Sequence, residues 1–165
     1  MRPDYDLVAP VYDFLAKMVF GSSLEYAKQA NLKYMKRGDK VLVIGGGTGS
    51  ILEHIDRLSL DVRIDFIELS SKMMSRARGR QTQNSAINFI HKDIINHNEP
   101  DYDVIVANFF FDNYDSLDCE KIIRHIRGLL KPAGLILYAD FFKSTHSRGR
   151  ILLTVMYRFF RVVAK

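Results

Sequence analysis

Cysteine occurs once, at Cys119, so the chain can form neither an internal disulfide nor a CxxC metal knuckle. That usage fits a reducing compartment, and a cytoplasmic location is the expectation. Tryptophan is absent and proline occurs only four times, which excludes Pro-rich linkers and collagen-like repeats. No window offers the roughly 18 uninterrupted apolar residues of a membrane span. Acids at Asp4, Asp6 and Asp13 interrupt the stretch where a signal peptide would be purely apolar. Neither an internal repeat nor a low-complexity tract is present. What remains is a length of 165 residues, 47% hydrophobic and 26% charged, enough to bury one domain's core.

The net charge of +5 invites a nucleic-acid reading, but the charge is local. Residues 143–165 carry Lys143, Arg148, Arg150, Arg158, Arg161 and Lys165 and no acid. Residues 1–142 are left with 18 bases against 19 acids. The body is neutral, and nucleic acid finds no support as a partner.

Short apolar runs alternate with helical spacing. Val41–Ile44 ends at Gly45-Gly46-Gly47-Thr48-Gly49, followed by Ile51, Leu52, Ile55 and Leu58 at helical intervals. Val62–Leu69 leads to Ser70, a serine placed to cap the helix after it. Ile87–Ile90, Tyr102–Asn108 and Leu135–Ala139 supply three more strands. A helix over Leu117–Leu130 is closed by Lys131-Pro132-Ala133-Gly134. Helical stretches are expected at 10–20 and 23–36 before the first strand, and at 147–164 after the fifth. The pattern predicts an α/β fold, a doubly wound parallel sheet of about five strands.

In such a sheet a ligand lies beyond the carboxyl ends of the strands, where strand order reverses. A glycine turn there permits positive φ and lets backbone approach a ligand closely. Glu68 closes the second strand 19 residues after Gly49, where a carboxylate can accept both hydroxyls of a ribose. The chain therefore reads as a nucleoside binder. A dinucleotide fingerprint needs its third glycine at position 50, which is Ser50, so the spacing is GxGxG and disfavours a nicotinamide oxidoreductase.

VLVIGGGTGS, DFIELSSKMMSRAR, YDVIVANFFFDNYD and LLKPAGLILYADF, in this order, resemble the class I S-adenosylmethionine-dependent methyltransferases over nearly the whole chain. The resemblance implies a Rossmann-like sheet and S-adenosyl-L-methionine as cofactor. It places Gly45, Gly46, Gly47, Thr48 and Gly49 around the methionine end. Glu68 would serve the ribose, with Leu69 beside it and Met73 near the adenine. Asp93 and Ile94, in the stretch Ile90-His-Lys-Asp-Ile94, would meet the adenine edge, and Asn108 would stand beside the reacting centre. The opening Tyr5-Asp6-x-x-Ala9-x-x-Tyr12-Asp13 is similar to that of quinone-biosynthesis C-methyltransferases, which implies a lid over residues 1–37 with Tyr12 above the cofactor. The alternative is a helix that merely covers the sheet.

Three departures from the family stand out. Val43 occupies a position that often carries an acid, and Gly46 one that is commonly cysteine or serine. Asn108-Phe109-Phe110-Phe111 replaces the Asn-Pro-Pro-aromatic of enzymes that methylate amide or base nitrogen. The family sheet usually continues with a sixth strand and an antiparallel seventh; neither is expected in these 165 residues, which would leave the fifth as an edge.

The expected domain plan is therefore a single unit: residues 1–37 a lid, 38–142 the nucleoside-binding sheet, 143–165 a basic, apolar tail. The tail could pack on the sheet, form a homodimer or partner face, or touch an anionic membrane as a peripheral contact. Phe109, Phe110 and Phe142 are candidate contacts for a small, apolar or aromatic acceptor, against a plain core role. His146 is the single weak candidate for a general base. His54 and His125 read as structural or surface residues, and Arg76, Arg78 and Arg80 as a solvated helix end. His91 and His97 lack a metal-ligand spacing, so no metal is expected. The expected function is methyl transfer to a small molecule, with a catalytically impaired cofactor-binding module as the rival.

Overall fold

A computed structural model describes residues 21–80 and 82–140. Tyr12, Phe142 and His146, like the stretches at 10–20 and 147–164, lie outside the described residues.

Among the described residues five strands form one sheet: β1 (Lys40–Ile44), β2 (Arg63–Glu68), β3 (Ala86–His91), β4 (Tyr102–Asn108) and β5 (Leu130–Ala139). Their order is β3-β2-β1-β4-β5, and every neighbouring pair is parallel. Central strands are covered on both faces, which is why β1 and β4 are almost unbroken apolar runs. Strand periodicity divides them between two cores. Val41, Val43, Ile64, Phe66, Val104 and Val106 point to one side. Leu42, Ile44, Ile67 and Ile105 point to the other.

Among the described residues four helices cover the sheet: α1 (Ser23–Ala30), α2 (Ser50–Asp56), α3 (Ser71–Arg78) and α4 (Ser116–Leu129). Ile51, Leu52 and Ile55 of α2, with Met74 and Ala77 of α3, close the first core. Ile122, Ile126 and Leu129 of α4 close the second. Ser70 caps α3 as expected, its hydroxyl accepting from the Met73 N–H at 3.1 Å.

Three element boundaries differ from the sequence expectation. The helix expected over 23–36 ends at Ala30, and a 3₁₀ turn at Leu32–Tyr34 follows. That tighter turn sends Leu32 and Met35 into the first core. Leu58 lies past the end of α2 and is 40% exposed, so it contributes no core contact of the kind its spacing implied. β5 begins at Leu130 rather than Leu135: Leu130 pairs with Tyr102, the register shifts, and pairing resumes at Leu135 opposite Val104. The residues between bulge because Pro132 has no N–H for the ladder and Ala133 takes a φ of 64°.

Candidate functional site

Strand order reverses between β1 and β4, so the crevice opens beyond Ile44 and Asn108. The glycine turn starts there. Gly45, Gly47 and Gly49 have φ of 59°, 57° and 79°, so every second residue is left-handed, a conformation that favours glycine. Gly49 is at the same time the N-cap of α2.

The three glycines also differ in what surrounds them. A Cβ on Gly45 would stand 2.4 Å from the Phe110 ring, and one on Gly49 would stand 2.8 Å from the Ala77 Cβ. Among the described residues nothing lies within 4 Å of a Cβ on Gly47, so none of them crowds the turn there. Gly46, one of the family departures, has a concrete cause. A Cβ there would be 2.1 Å from the ring of Phe66, which is fully buried and fills that volume. Val43, the other departure, is buried in the first core beside Val41 and Phe66. An acid at Val43 would be desolvated there.

Glu68, the last residue of β2, is 8% exposed. Its Oε2 accepts from the Gly47 N–H and its Oε1 from the Ser70 N–H, both at 2.8 Å. Burial pushes its carboxyl above the ordinary range, against the opposing pull of the N–H groups of Ser70, Gly47 and Leu69 and of nearby His91. A carboxylate has about four acceptor positions, so these three N–H groups orient Glu68 without exhausting it.

Around this pair the remaining residues take distinct positions. Leu69 is half exposed, its carbonyl accepting from His91 Nε2 at 2.7 Å, while Met73 is buried. Asp93, just after β3, accepts from the Ile95 N–H at 3.3 Å, and Ile94 is buried in the second core. Asn108 ends β4, and its Nδ2 stands 3.5 Å from the Lys28 carbonyl of α1. Phe109 is half-buried with a φ of 54°, its N–H donating to the Ala139 carbonyl at 2.7 Å. Phe110 instead turns into the second core, its ring 5.3 Å from that of Phe111 and 5.1 Å from that of Tyr114.

Thr48 brings in Arg80, a residue outside the expected site. Arg80 is not a solvated helix end: its Nε donates to the Thr48 carbonyl at 2.9 Å and its Nη2 to the Thr48 hydroxyl at 3.2 Å. Its Nη1 also reaches Glu53 of α2 at 2.9 Å. The guanidinium fork thus ties the glycine turn to the end of α3. Only its position just beyond a helix that follows a ribose-type carboxylate could have signalled this. His54 is buried and meets Glu25, and His125 bonds the carbonyls of Ile94 and His97; both are structural. Among the described residues no group of three or more His, Cys, Asp or Glu is arranged to hold a metal ion. No described helix is long and apolar enough to cross a membrane.

Known proteins are similar to this chain in sequence and fold. The family described as "Methyltransferase domain" matches residues 42–136. Malonyl-(acyl-carrier protein) O-methyltransferase 2 of Ilyobacter polytropus is 32% identical over 107 residues, 64% of this chain and 40% of that protein. The ubiquinone/menaquinone biosynthesis C-methyltransferase UbiE of Vibrio campbellii is 27% identical over 144 residues, 82% of this chain and 55% of that protein. The chain thus spans about half the length of these curated relatives. A structure titled "DhpI-SAH complex structure" shares the fold with a TM-score of 0.72 at 19% identity, over 94% of this chain and 83% of that one. The family match reaches from β1 into β5 and takes in the whole glycine turn and Glu68, so this chain belongs to the methyltransferase-domain family, as the resemblance in its motifs implied.

Proposed function

We propose that the chain binds S-adenosylmethionine across the crevice and passes its methyl group to a small, apolar or aromatic acceptor. The observation that carries this is Glu68: a buried carboxylate, oriented by the glycine turn itself, with acceptor capacity left for a ribose hydroxyl. The uncrowded backbone at Gly47 fits the same reading, because a ligand can approach it there without meeting a described side chain. Asp93 and Ile94 would border the adenine, with Leu69 and Met73 on its other side.

When bound, S-adenosylmethionine supplies an activated methyl group on a sulfonium, which is a good leaving group. The chain's own task is then placement, holding the acceptor in line with the methyl-sulfur bond, and a dedicated base is optional. Phe109 is the aromatic best suited to the acceptor side. A bulky residue at positive φ is strained, and here the Ala139 carbonyl holds it at the end of β4. The relatives' names offer an acyl-carrier-bound malonyl group or a quinone ring. Phe109, at the end of β4, favours the flat, apolar alternative.

Calorimetric titration with S-adenosylmethionine, S-adenosylhomocysteine and NAD tests the cofactor reading, and binding of NAD alone would overturn it. Incubation with methyl-labelled S-adenosylmethionine and a panel of quinols, phenols and acyl thioesters then tests transfer. Label appearing on the aromatic members is the expected result. Tight cofactor binding with no labelled product would leave a binding module.

A further inference from the structure

Beyond β3 the chain makes a short 3₁₀ turn, Ile94–Asn96, with Asp93 at its start and His97 at its end. Its internal bonds are local. Asp93 accepts from the Ile95 N–H through its side chain at 3.3 Å and from the Asn96 N–H through its carbonyl at 3.0 Å. The Ile94 carbonyl accepts from the His97 N–H at 3.0 Å. Such bonds give the turn its shape without fixing where it stands against the sheet.

Its place is set by Ile94, buried in the second core, and by two histidine rings. His125, on α4, holds Nε2 at 3.0 Å from the Ile94 carbonyl and 2.8 Å from the His97 carbonyl. Carbonyl oxygens only accept, so Nε2 carries the hydrogen and donates to both in a fork. The His97 ring reaches toward β4. There the Tyr102 hydroxyl donates to Asp65, so its oxygen accepts from His97 Nε2 at 2.8 Å. α4 is anchored in turn by Ile122, Ile126 and Leu129 in the same core as Ile94. Asp93 therefore takes its position from α4 and β4, whereas Glu68 takes its own from the glycine turn. The two carboxylates have separate supports.

We propose that His125 is a positioning residue for base selection: by holding the Asp93–His97 turn it keeps the Asp93 carboxylate where an exocyclic amine of the base can donate to it. This rests on the reading of the crevice as an S-adenosylmethionine site, with the adenine bordered by Asp93 and Ile94. A base with a carbonyl in place of that amine presents an acceptor to the carboxylate and is disfavoured. Because Glu68 is supported separately, loss of the His125 donor should relax base selection and spare the ribose contact.

Calorimetry with S-adenosylhomocysteine and S-inosylhomocysteine, which differ in that one group of the base, tests the proposal on the wild type, His125→Gln and His125→Phe. The wild type should favour the adenine ligand by about 10-fold or more, the scale of a hydrogen bond to a charged group. His125→Gln, whose amide can donate at similar reach, should keep that preference to within about twofold, while His125→Phe should fall to about threefold or less. S-inosylhomocysteine affinity should stay within about twofold across all three proteins. A His125→Phe chain that melts like the wild type and keeps the full preference would leave His125 a structural tie only and overturn the proposal. So would a His125→Gln chain that loses the preference as completely as His125→Phe. Should His125→Phe fail to fold, amide exchange on the wild type decides: the adenine ligand should protect the Asn96 and His97 amides more than the inosine ligand, and equal protection overturns the proposal. A wild type that binds both ligands equally sinks this inference and leaves the nucleoside site standing. One that binds neither ends both.

Discussion

The Gly47 N–H donates to Glu68 Oε2 at 2.8 Å, joining the glycine turn to the end of β2 across 21 residues of sequence. Each group positions the other. The buried carboxylate satisfies a turn amide that would otherwise face the crevice, and the amide fixes which lone pairs of Glu68 stay available.

Removing that carboxylate should therefore cost more than one ligand contact. Glu68→Ala is expected to weaken S-adenosylhomocysteine binding by roughly 1.5–3 kcal/mol, the scale of hydrogen bonds to a charged group. Calorimetry checks it, and unchanged affinity would remove Glu68 from the site.

Acidity should modulate the same contact. Burial, offset in part by the Ser70, Gly47 and Leu69 amides, holds the Glu68 carboxyl above its ordinary 4.5. The folded chain thus keeps this proton more tightly than the unfolded one, so this group's contribution to stability falls as pH rises from 4.5 through the raised value. Ligand affinity moves the opposite way, declining as pH drops through that raised value, because protonation removes acceptor capacity. Titrations from neutral pH down through the acidic range should show the decline in the wild type and a flat profile in Glu68→Gln.

Gly46 and Phe66 should be energetically coupled. Gly46 does not have a positive φ, so an alanine there is penalised by space alone, its Cβ 2.1 Å from the Phe66 ring. Gly46→Ala is expected to destabilise by about 1–3 kcal/mol. In a Phe66→Val background most of that cost should vanish. A urea-denaturation cycle over the four proteins reads the coupling directly, and additive effects would contradict the packing argument.

The grip of Arg80 on Thr48 should show in the mobility of the turn. Arg80→Ala removes the bonds to the Thr48 carbonyl and hydroxyl and to Glu53, and amide exchange at Gly47–Gly49 should quicken. Arg80→Lys should recover little, because an ammonium lacks the planar fork that reaches both Thr48 oxygens. Exchange rates equal to the wild type would show that the turn holds itself.

Away from the crevice, Tyr102 tests the second core. Its hydroxyl donates to Asp65 at 2.6 Å and lies 2.8 Å from His97 Nε2, and all three residues are buried. Tyr102→Phe strips a partner from two buried polar groups at once and should cost about 1–3 kcal/mol, read from thermal or urea unfolding. A neutral effect would mean that water replaces the hydroxyl.

Much of this was legible in sequence because its cause is local. The β-branched run of β1, the GxGxG spacing and a serine three residues before Met73 follow from backbone geometry, solvent exclusion and capping. β4 appears at the residues its YDVIVAN run indicated, Tyr102–Asn108. The edges were less legible: β5 starts five residues early because Leu130 finds a partner in Tyr102, a pairing that depends on another strand.

The charge and glycine patterns with which the sequence is read divide in the same way. That the basic charge is confined to residues 143–165, and that a glycine turn precedes a carboxylate by 19 residues, is determined by sequence alone. Why Gly46 must be glycine, why Arg80 is not a surface charge, and why Lys28 stands beside Ser50 are decided only in three dimensions. Each depends on a side chain brought from a different element, and no local pattern records the volume or charge that a distant residue will supply.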